Sequence, residues 1–207
     1  MNAHNEKRGK LFVVSGPAGS GKGTVMDLLK EKSDKYSLSV SLTSRPMLKG
    51  EREGVNYYYV TREQFEEKIA DGQVLEYTEY CGNYYGTPKQ RALEVIESGK
   101  HLLLEIEVDG AMQIKKAYPE AVLVMILPPD VRVQEYRLRT RGRDTEESIQ
   151  KRLLRTREEL KLADRYDFIL INEDGRAVDV AKAFENIADG RTDLVMDAHD
   201  AVCKYFE

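Results

Sequence analysis

Cysteine and histidine are scarce in this chain, and their positions exclude several classes of site. Among 207 residues there are two cysteines, Cys81 and Cys203, and three histidines. Two cysteines so far apart do not form a disulfide framework, and the histidines have no spacing typical of metal ligands. The composition therefore favours a reducing compartment, and we expect a cytoplasmic protein.

Long apolar runs and an excess of positive charge are also missing. The longest apolar run, 121–129, is far too short to cross a bilayer, and the polar residues 1–10 do not resemble a secretory signal. The net charge of −4, from 32 basic and 36 acidic residues, argues against nucleic acid as a partner. The 41% of hydrophobic residues is enough for the core of a single domain.

The most informative motif is a glycine-rich segment between a predicted strand, 11–15, and a helical pattern that begins near Lys22. Its glycines allow successive N–H groups to converge on one concavity at a helix N-terminus, where an anion is favoured. The lysine adds a mobile positive charge, so the segment fits the phosphate-binding pattern G-x-x-x-x-G-K. The residues predicted to bind a nucleotide here are Gly16, Pro17, Ala18, Gly19, Ser20, Gly21, Lys22, Gly23 and Thr24. Gly23 stands where the pattern usually has a hydroxyl residue, so Thr24 is the hydroxyl candidate for a phosphate or a magnesium-bound water.

Apolar runs suited to buried parallel strands alternate with helical patterns along much of the chain. This alternation predicts an α/β fold in which helices cover both faces of a parallel sheet, with ligands beyond the carboxyl ends of the strands. The strands are predicted at 11–15, 36–42, 101–106, 121–127 and 168–171. The helices are predicted at 22–32, 88–98, 110–117, 131–139, 146–163 and from 177 onward.

Two stretches interrupt the alternation. Residues 43–87 contain short strand-like pieces at 56–60 and 74–80, with a capping box at Thr61–Gln64 between them, and we interpret them as an inserted subdomain. Residues 136–157 are rich in arginine and suit a mobile helical lid. The rest of this single domain, its core, is predicted to comprise 1–42, 88–135 and 158–207.

Arginines are concentrated where a phosphate-transferring enzyme needs them. Guanidinium groups bind phosphate oxygens through two parallel hydrogen bonds, and phosphoryl transfer requires such neutralising groups. We predict phosphate contacts for Arg45, Arg137, Arg141 and Arg152. A solvated helix face paired with glutamates is favoured instead for Arg139, Arg143, Arg155 and Arg157.

The segment 74–87 combines tyrosines with a carboxylate, which suggests a pocket for a planar ring with polar edges. The Glu76 carboxylate can accept two parallel hydrogen bonds from N1–H and the exocyclic amine of guanine, a pair that adenine does not offer. The Thr87 hydroxyl is a candidate for reading O6. A tyrosine-rich edge strand without a ligand explains the same composition equally well.

Further motifs accompany the glycine-rich loop between residues 41 and 174. They include Ser41-Leu-Thr-Ser-Arg-Pro46, Gly50-Glu51, Gly82-Asn-Tyr-Tyr-Gly-Thr87, Glu105-Ile-Glu-Val-Asp-Gly110, Leu127-Pro-Pro129, Arg137-Leu-x-x-Arg-Gly142 and Ile171-Asn-Glu-Asp174. In this combination the chain, from about residue 10 to about 188, resembles the guanylate kinases. The resemblance implies a three-layer P-loop NTPase core with a central five-stranded parallel sheet, a GMP-binding subdomain at 43–87 and the lid. It also implies an ATP:GMP phosphotransferase of purine nucleotide metabolism that uses Mg²⁺ and also accepts dGMP.

The resemblance further implies roles for individual residues. Those implied to bind GMP are Ser41, Arg45, Tyr57, Glu76, Tyr85, Thr87 and Glu105. Lys49 is a further candidate for the GMP phosphate, because it lies beside Leu48, where the family usually has a second arginine. Those implied to stabilise the transferring phosphoryl group are Lys22, Arg45, Arg141 and Arg152, while Arg137 and Asn172 would border ATP. Magnesium would be held through phosphates and waters rather than directly, with Thr24, Glu105 and Glu107 as the candidates near it.

The chain departs from the usual family pattern at a few positions. Leu48 replaces a second arginine, Glu105 and Glu107 replace a pair of aspartates, and Asp109 replaces a glutamine. Two alternatives therefore remain: a related kinase that acts on another phosphorylated acceptor, and a non-catalytic GMP-binding scaffold. The presence of Lys22 argues against the scaffold. The sequence leaves the oligomeric state open.

Overall fold

The computed structural model describes residues 8–142, 144–191 and 197–207. The strands in these ranges are β1 (Leu11–Ser15), β2 (Tyr36–Leu38), β3 (Leu42–Thr43), β4 (Tyr58–Tyr59), β5 (Val74–Tyr80), β6 (Asn83–Pro88), β7 (His101–Glu105), β8 (Val122–Leu127) and β9 (Phe168–Ile171). The α-helices are α1 (Lys22–Lys32), α2 (Arg62–Ala70), α3 (Lys89–Glu97), α4 (Val108–Ala117), α5 (Val131–Thr140), α6 (Glu146–Leu160), α7 (Ala177–Ala188) and α8 (Ala198–Phe206).

A five-stranded parallel sheet has the order β2-β7-β1-β8-β9. In its register Tyr36 lies opposite His101 where β2 meets β7, and Val124 lies opposite Phe168 where β8 meets β9. All five residues of β1 are buried. Strands buried on both faces are continuous apolar runs in sequence, which is why most of this sheet is predictable. The predicted α/β fold with a five-stranded parallel sheet is confirmed.

The chain divides into two compact units. The first contains the chain up to Phe12, Lys35–Glu105 and Asp109–Ala121. The second contains Val13–Asp34, Ile106–Val108 and Val122–Glu207. The boundaries predicted for the inserted subdomain and the lid stay a prediction. Among the helices of the described ranges, none has the length and apolar character needed to cross a bilayer.

The first unit contains a second, four-stranded sheet in the order β4-β3-β6-β5. Strand β3 runs parallel to β4 and antiparallel to β6, and β5 is antiparallel to β6. From α2, the fully buried Phe65 stacks on Tyr84 of β6 with ring centroids 5.2 Å apart. Gly86 is needed in β6 because a Cβ there would lie 2.6 Å from the Glu76 carbonyl oxygen.

Some elements differ from the sequence-based prediction. The strand predicted at 36–42 is divided, since its first part is β2 of the large sheet and its end belongs to β3 of the small sheet. Strand β6 lies beyond the strand-like pieces predicted at 56–60 and 74–80, in the segment for which a pocket and a tyrosine-rich strand were left as alternatives. The helix predicted at 146–163 ends at Leu160, before a 3₁₀ turn at Ala163–Arg165. The helical pattern from 177 onward corresponds to α7 and, separately, α8.

The predicted capping box at the start of α2 is present in full. The Gln64 backbone N–H donates to Thr61 Oγ1 over 3.2 Å, and the Thr61 backbone N–H donates to Gln64 Oε1 over 2.9 Å. Two backbone donors at the helix start are thereby satisfied, which fixes where α2 begins.

We expect Thr61→Ala to lower the free energy of unfolding by about 1 kcal/mol, because the N-cap acceptor is lost. Urea denaturation of the purified protein measures this difference. Thr140→Ala is a matched control, since its hydroxyl only bonds back to the Tyr136 carbonyl oxygen within α5. Equal effects of the two substitutions would contradict the assigned role of Thr61.

Candidate active site

The glycine-rich loop connects β1 to α1 in the second unit. Gly19 and Gly21 have φ angles of 86° and 79°, in the region that favours glycine. A Cβ at Gly21 would lie 2.4 Å from the amide nitrogen of Asn172, and one at Gly16 would lie 2.1 Å from the Ile126 carbonyl oxygen. Glycine is therefore required by backbone conformation and by close packing.

Three side chains from outside the loop hold its backbone carbonyl groups. Gln134 Nε2 donates to the Ala18 oxygen over 2.8 Å, and Asn172 Nδ2 donates to the Ser20 oxygen over 2.7 Å. Between them, Arg137 Nη1 donates to the Gly19 oxygen over 3.2 Å. Three consecutive carbonyls are thus taken up by the protein, while the first N–H groups of α1 have no partner within their helix. Such an arrangement suits an anion at this helix terminus.

Arg137 was predicted to border ATP, and the structure shows most of its donors engaged by the protein. Besides the Gly19 oxygen, its guanidinium donates to the Asn172 carbonyl oxygen over 2.8 Å and to Asp174 over 2.6 and 3.0 Å. Arg137 therefore positions the loop and the segment after β9. Its direct role toward a nucleotide stays a prediction.

Two buried polar atoms lie beside the loop without a hydrogen-bond partner among the described residues. They are the Ser20 hydroxyl and the Asn172 side-chain oxygen. Both residues are at least 96% buried, with exposures of 0% and 4%. Because buried polar atoms are normally paired, these two atoms leave hydrogen-bonding capacity unused at the loop.

Lys22 and Thr24 lie in the first turn of α1, where the sequence predicted them. Lys22 is partly buried, and Thr24 is exposed. The lysine charge also acts on Glu159 of α6, whose pKa is raised chiefly by burial of its carboxyl group. The positive charge of Lys22 therefore lies at the N-terminal end of α1, where the helix dipole already favours an anion.

The remaining arginines of the second unit differ in their surroundings. Arg152 Nε donates to the largely buried Asp144 over 3.1 Å, and Arg141 is exposed at the end of α5. Arg139 pairs with Glu135 and Glu146 on the surface, as expected for a solvated face.

Two further arginines were also predicted on that solvated face. Arg155 pairs with Glu107 and Glu159, so the Glu107 carboxylate is already occupied by a guanidinium group. Arg157 lies over the Phe206 ring, with 5.8 Å between the guanidinium carbon and the ring centroid. The remaining member of the set, Arg143, lies outside the described residues.

A second cationic centre lies in the first unit, around Arg45. Its Nη2 lies 2.8 Å from Glu51 Oε1, and its guanidinium carbon lies 5.5 Å from the Tyr57 ring centroid. The Tyr85 ring is 5.8 Å from Tyr57, edge to face, so the arginine borders an aromatic cluster. Predicted residues 45, 57 and 85 are thereby brought together.

Glu51 organises this cationic centre. The sequence analysis named Glu51 only as part of the motif Gly50-Glu51 and did not predict this role. Its carboxylate accepts hydrogen bonds from Arg45, from the Leu48 backbone N–H and from the Tyr59 hydroxyl, each over 2.8 Å. Bonding to the guanidinium lowers the pKa of Glu51 to about 2, while burial and the carboxylate raise that of Tyr59 to about 12. Since Arg45 is charged throughout, it is a fixed cation oriented by an ionised partner.

Glu76 and Thr87 form a buried polar pair on neighbouring strands β5 and β6. Thr87 Oγ1 donates to Glu76 Oε1 over 2.7 Å, and the two residues are 0% and 4% exposed. Burial raises the pKa of Glu76 to about 7, partly opposed by hydrogen bonds from Thr87. A buried carboxyl group with one hydrogen-bonding neighbour retains acceptor capacity for a ligand.

Other predicted residues of the first unit are less constrained. Ser41 is half-buried before β3, where its carbonyl oxygen accepts from the Tyr58 N–H. Lys49 is exposed beside Leu48, and Glu105 is exposed where β7 ends. Within the described ranges, no group of three or more histidine, cysteine, aspartate or glutamate side chains is arranged to hold a metal ion.

The fold and the glycine-rich loop define the class of P-loop phosphotransferases. Comparisons with known proteins narrow this class to a family. The family model described as "Guanylate kinase" matches residues 8–187. A guanylate kinase of a Nostoc species is 47% identical over 173 residues, covering 84% of this chain and 87% of the relative. One from Clostridioides difficile is 41% identical over 201 residues, 97% of each. A crystal structure of guanylate kinase from Anaplasma phagocytophilum matches with a TM-score of 0.70 and 27% identity, over 97% of this chain and 96% of that one.

The chain belongs to the guanylate kinase family. It is thus an enzyme, a nucleoside-monophosphate kinase, and the resemblance stated from the motifs is confirmed. Neither alternative function finds support in these matches. The roles predicted for individual residues stay predictions.

The buried Glu76 carboxyl group is expected to make stability depend on pH. Because its pKa is about 7 in the folded protein and near 4.5 when exposed, folding favours the protonated form. Its contribution is complete below about pH 4.5 and is lost as the pH rises through about 7. Relative to Glu76→Gln, the wild type should lose stability over this window, by on the order of 2–3 kcal/mol.

Urea denaturation of both proteins between pH 5 and pH 8 measures the difference. Glu79→Gln, at an exposed position of the same strand, is the control and should follow the wild type. Parallel stability profiles for the wild type and Glu76→Gln would rule out the raised pKa.

Proposed function

We propose that the protein transfers the γ-phosphoryl group of ATP to GMP, giving ADP and GDP, and that it also accepts dGMP. The observation that carries this proposal is the pairing of a buried carboxyl group with a hydroxyl at Glu76 and Thr87, in the same unit as the Arg45 centre. The Glu76–Thr87 pair suits the polar edge of guanine, and the Arg45 centre suits a phosphate. Membership in the guanylate kinase family supports the same substrates.

The acceptor nucleotide binds to the first unit. The Glu76 carboxylate accepts N1–H and the exocyclic amine of guanine, and Thr87 is close enough to the carboxylate to share in reading the ring. The GMP phosphate binds Arg45 with Tyr57 and Tyr85 beside it, and Ser41 and Lys49 contribute nearby. Glu105 is assigned to the ribose side.

The donor nucleotide binds to the second unit. The loop 16–24 surrounds the ATP phosphates with backbone N–H groups, and Lys22 follows the transferring group. Arg141 and Arg152, exposed or half-exposed within the proposed lid 136–157, neutralise its oxygens. Asn172 and Arg137 line the remainder of the site, since they already contact the loop.

Mg²⁺ would be held together with the ATP phosphates. Mg²⁺ prefers oxygen ligands and usually keeps several waters beside substrate phosphates, which fits a site where few protein oxygens are offered. Thr24, with its exposed hydroxyl in the first turn of α1, is assigned to a phosphate oxygen or a magnesium-bound water rather than to the ion itself. Glu105 is a candidate for a bound water, whereas Glu107 is already paired with Arg155. When bound, the ion supplies charge neutralisation on the phosphates.

In this reaction the protein's main tasks are to position the two nucleotides and to neutralise charge on the transferring phosphoryl group. The GMP phosphate is itself an anionic nucleophile, so no covalent intermediate and no strong general base is needed. Transfer requires donor and acceptor in line, and the P-loop, Lys22 and the arginines bind their phosphates and offset the charge on the equatorial oxygens. We assign this reaction to the cytoplasm, as a step of purine nucleotide metabolism with no nucleic acid involved.

Lys22→Ala should lower kcat with GMP by about two to three orders of magnitude, the range seen when one group that stabilises transition-state charge is removed. A coupled assay of ADP formation measures it. Lys32→Ala, exposed at the other end of α1, is the control and should keep full activity. Retained turnover in Lys22→Ala would contradict the assignment of the loop.

Glu76→Gln should reduce the preference for GMP over AMP, because a carboxamide accepts only one of the two guanine N–H groups. The expected loss in discrimination is about 1–3 kcal/mol, measured as the ratio of kcat/KM values. Glu79→Gln on the same strand serves as the control. Wild-type protein that turns over AMP as fast as GMP would overturn guanine specificity altogether.

A further inference from the structure

Helix α8 buries a tyrosine that the proposed function leaves unused. Tyr205 is fully buried, as is Ala201 one turn earlier, so one face of α8 is packed within the second unit. The Tyr205 ring lies 4.9 Å from that of Phe206, edge to face. The family model ends at residue 187, so the matched range does not include this helix.

The Tyr205 hydroxyl ends a chain of buried hydrogen bonds that leads to the phosphate-binding loop. Tyr205 donates to Gln134 Oε1, and Gln134 Nε2 donates to the Ala18 carbonyl oxygen over 2.8 Å. The same nitrogen donates to Thr156 Oγ1 over 2.9 Å, and Thr156 donates in turn to the Arg152 carbonyl oxygen over 2.9 Å. Gln134 is fully buried and Thr156 is 1% exposed.

The direction of these hydrogen bonds follows from the chemistry of their ends. The Ala18 carbonyl can only accept, so the Gln134 amide must turn its NH₂ toward the loop and its oxygen toward Tyr205. The phenol must then donate, and burial keeps it protonated by raising the pKa of Tyr205. With the amide reversed, two oxygens would face each other across the Ala18 contact. The Tyr205 hydroxyl is therefore the donor that satisfies the buried Gln134 oxygen in this orientation and holds the amide from the side opposite the loop.

Gln134 connects the Tyr205 hydroxyl to the phosphate-binding loop. It lies three residues before Arg137 on α5, and the two side chains hold the adjacent carbonyl groups of Ala18 and Gly19. The loop also packs closely on it, since a Cβ at Gly19 would come within 3.4 Å of Gln134 Cγ. Loss of its orientation would loosen one of the three side-chain anchors of the loop.

We propose that Tyr205 is a positioning residue for the donor nucleotide, acting through Gln134 on the phosphate-binding loop. The inference rests on the proposed function only in taking ATP as the ligand of that loop. Because the loop must present its N–H groups before the nucleotide arrives, an anchor that fixes its backbone lowers the cost of binding. The first unit has no part in this chain of contacts, so GMP binding should not respond.

The test uses the full-length protein and Tyr205→Phe, which keeps the buried ring and removes only the hydroxyl. Calorimetry should show the Kd for a nonhydrolysable ATP analogue with Mg²⁺ rising about fivefold, the equivalent of about one net hydrogen bond. The Kd for GMP should stay within about twofold, and KM for ATP should rise while KM for GMP does not. Unfolding curves establish that each variant is folded at the temperature used.

Two further variants separate positioning from a general loss of stability. Ala201→Gly weakens the same helix without removing the hydroxyl, and it should leave the affinity for the ATP analogue unchanged. In a Gln134→Ala background, Tyr205→Phe should have no additional effect, because the residue through which it acts is gone.

The outcomes distinguish this inference from the proposed function. A wild-type protein that binds neither nucleotide overturns the proposed function and the inference with it. If the wild type binds both, the inference fails when Tyr205→Phe matches the wild type, weakens GMP equally, or has its full effect without Gln134. It also fails when Ala201→Gly reproduces the change.

Discussion

The arrangement of the second unit depends on the side-chain hydrogen bonds that hold the carbonyl groups of the phosphate-binding loop. Peptide groups have a donor and an acceptor side, so a loop that presents its N–H groups to an anion must place its carbonyls elsewhere. Here consecutive carbonyls of residues 18–20 are bound by side chains from α5 and from the residue after β9. The sheet order matters to the site because it brings those elements beside the loop.

The first unit holds one charged group and one titrating group, Arg45 and Glu76, and it does so in different ways. Arg45 is oriented by a carboxylate that is in turn bound by a backbone N–H and a phenol, which limits the motion of both partners. Glu76, by contrast, has no cationic partner among these contacts. It is buried, and the Thr87 hydroxyl donates a hydrogen bond to it. One centre therefore keeps its charge at all ordinary pH values, and the other is held near the point of ionisation.

Sequence reasoning recovered the features that a local pattern encodes. The buried strands, the glycine-rich loop, the capping box and most helix limits follow from apolar runs, backbone freedom and hydrogen-bonding residue types. It did not recover β6 or the division of 36–42, because pairing between short polar strands is decided by distant neighbours. For the same reason Gln134 and Glu51 were missed as organising residues. Nothing near them in sequence shows which backbone groups they bind, and Arg137 was predicted only as a ligand contact.

The backbone contact between Leu48 and Glu51 has a consequence for how this chain can vary. Glu51 is held at this point by a main-chain N–H, while the Leu48 side chain is 60% exposed. Any amino acid other than proline supplies the same donor, so the identity of residue 48 is uncoupled from the architecture around Arg45. Substitutions at this position can therefore change the charge of the surface beside Arg45 and leave the hydrogen bonds that orient the guanidinium in place.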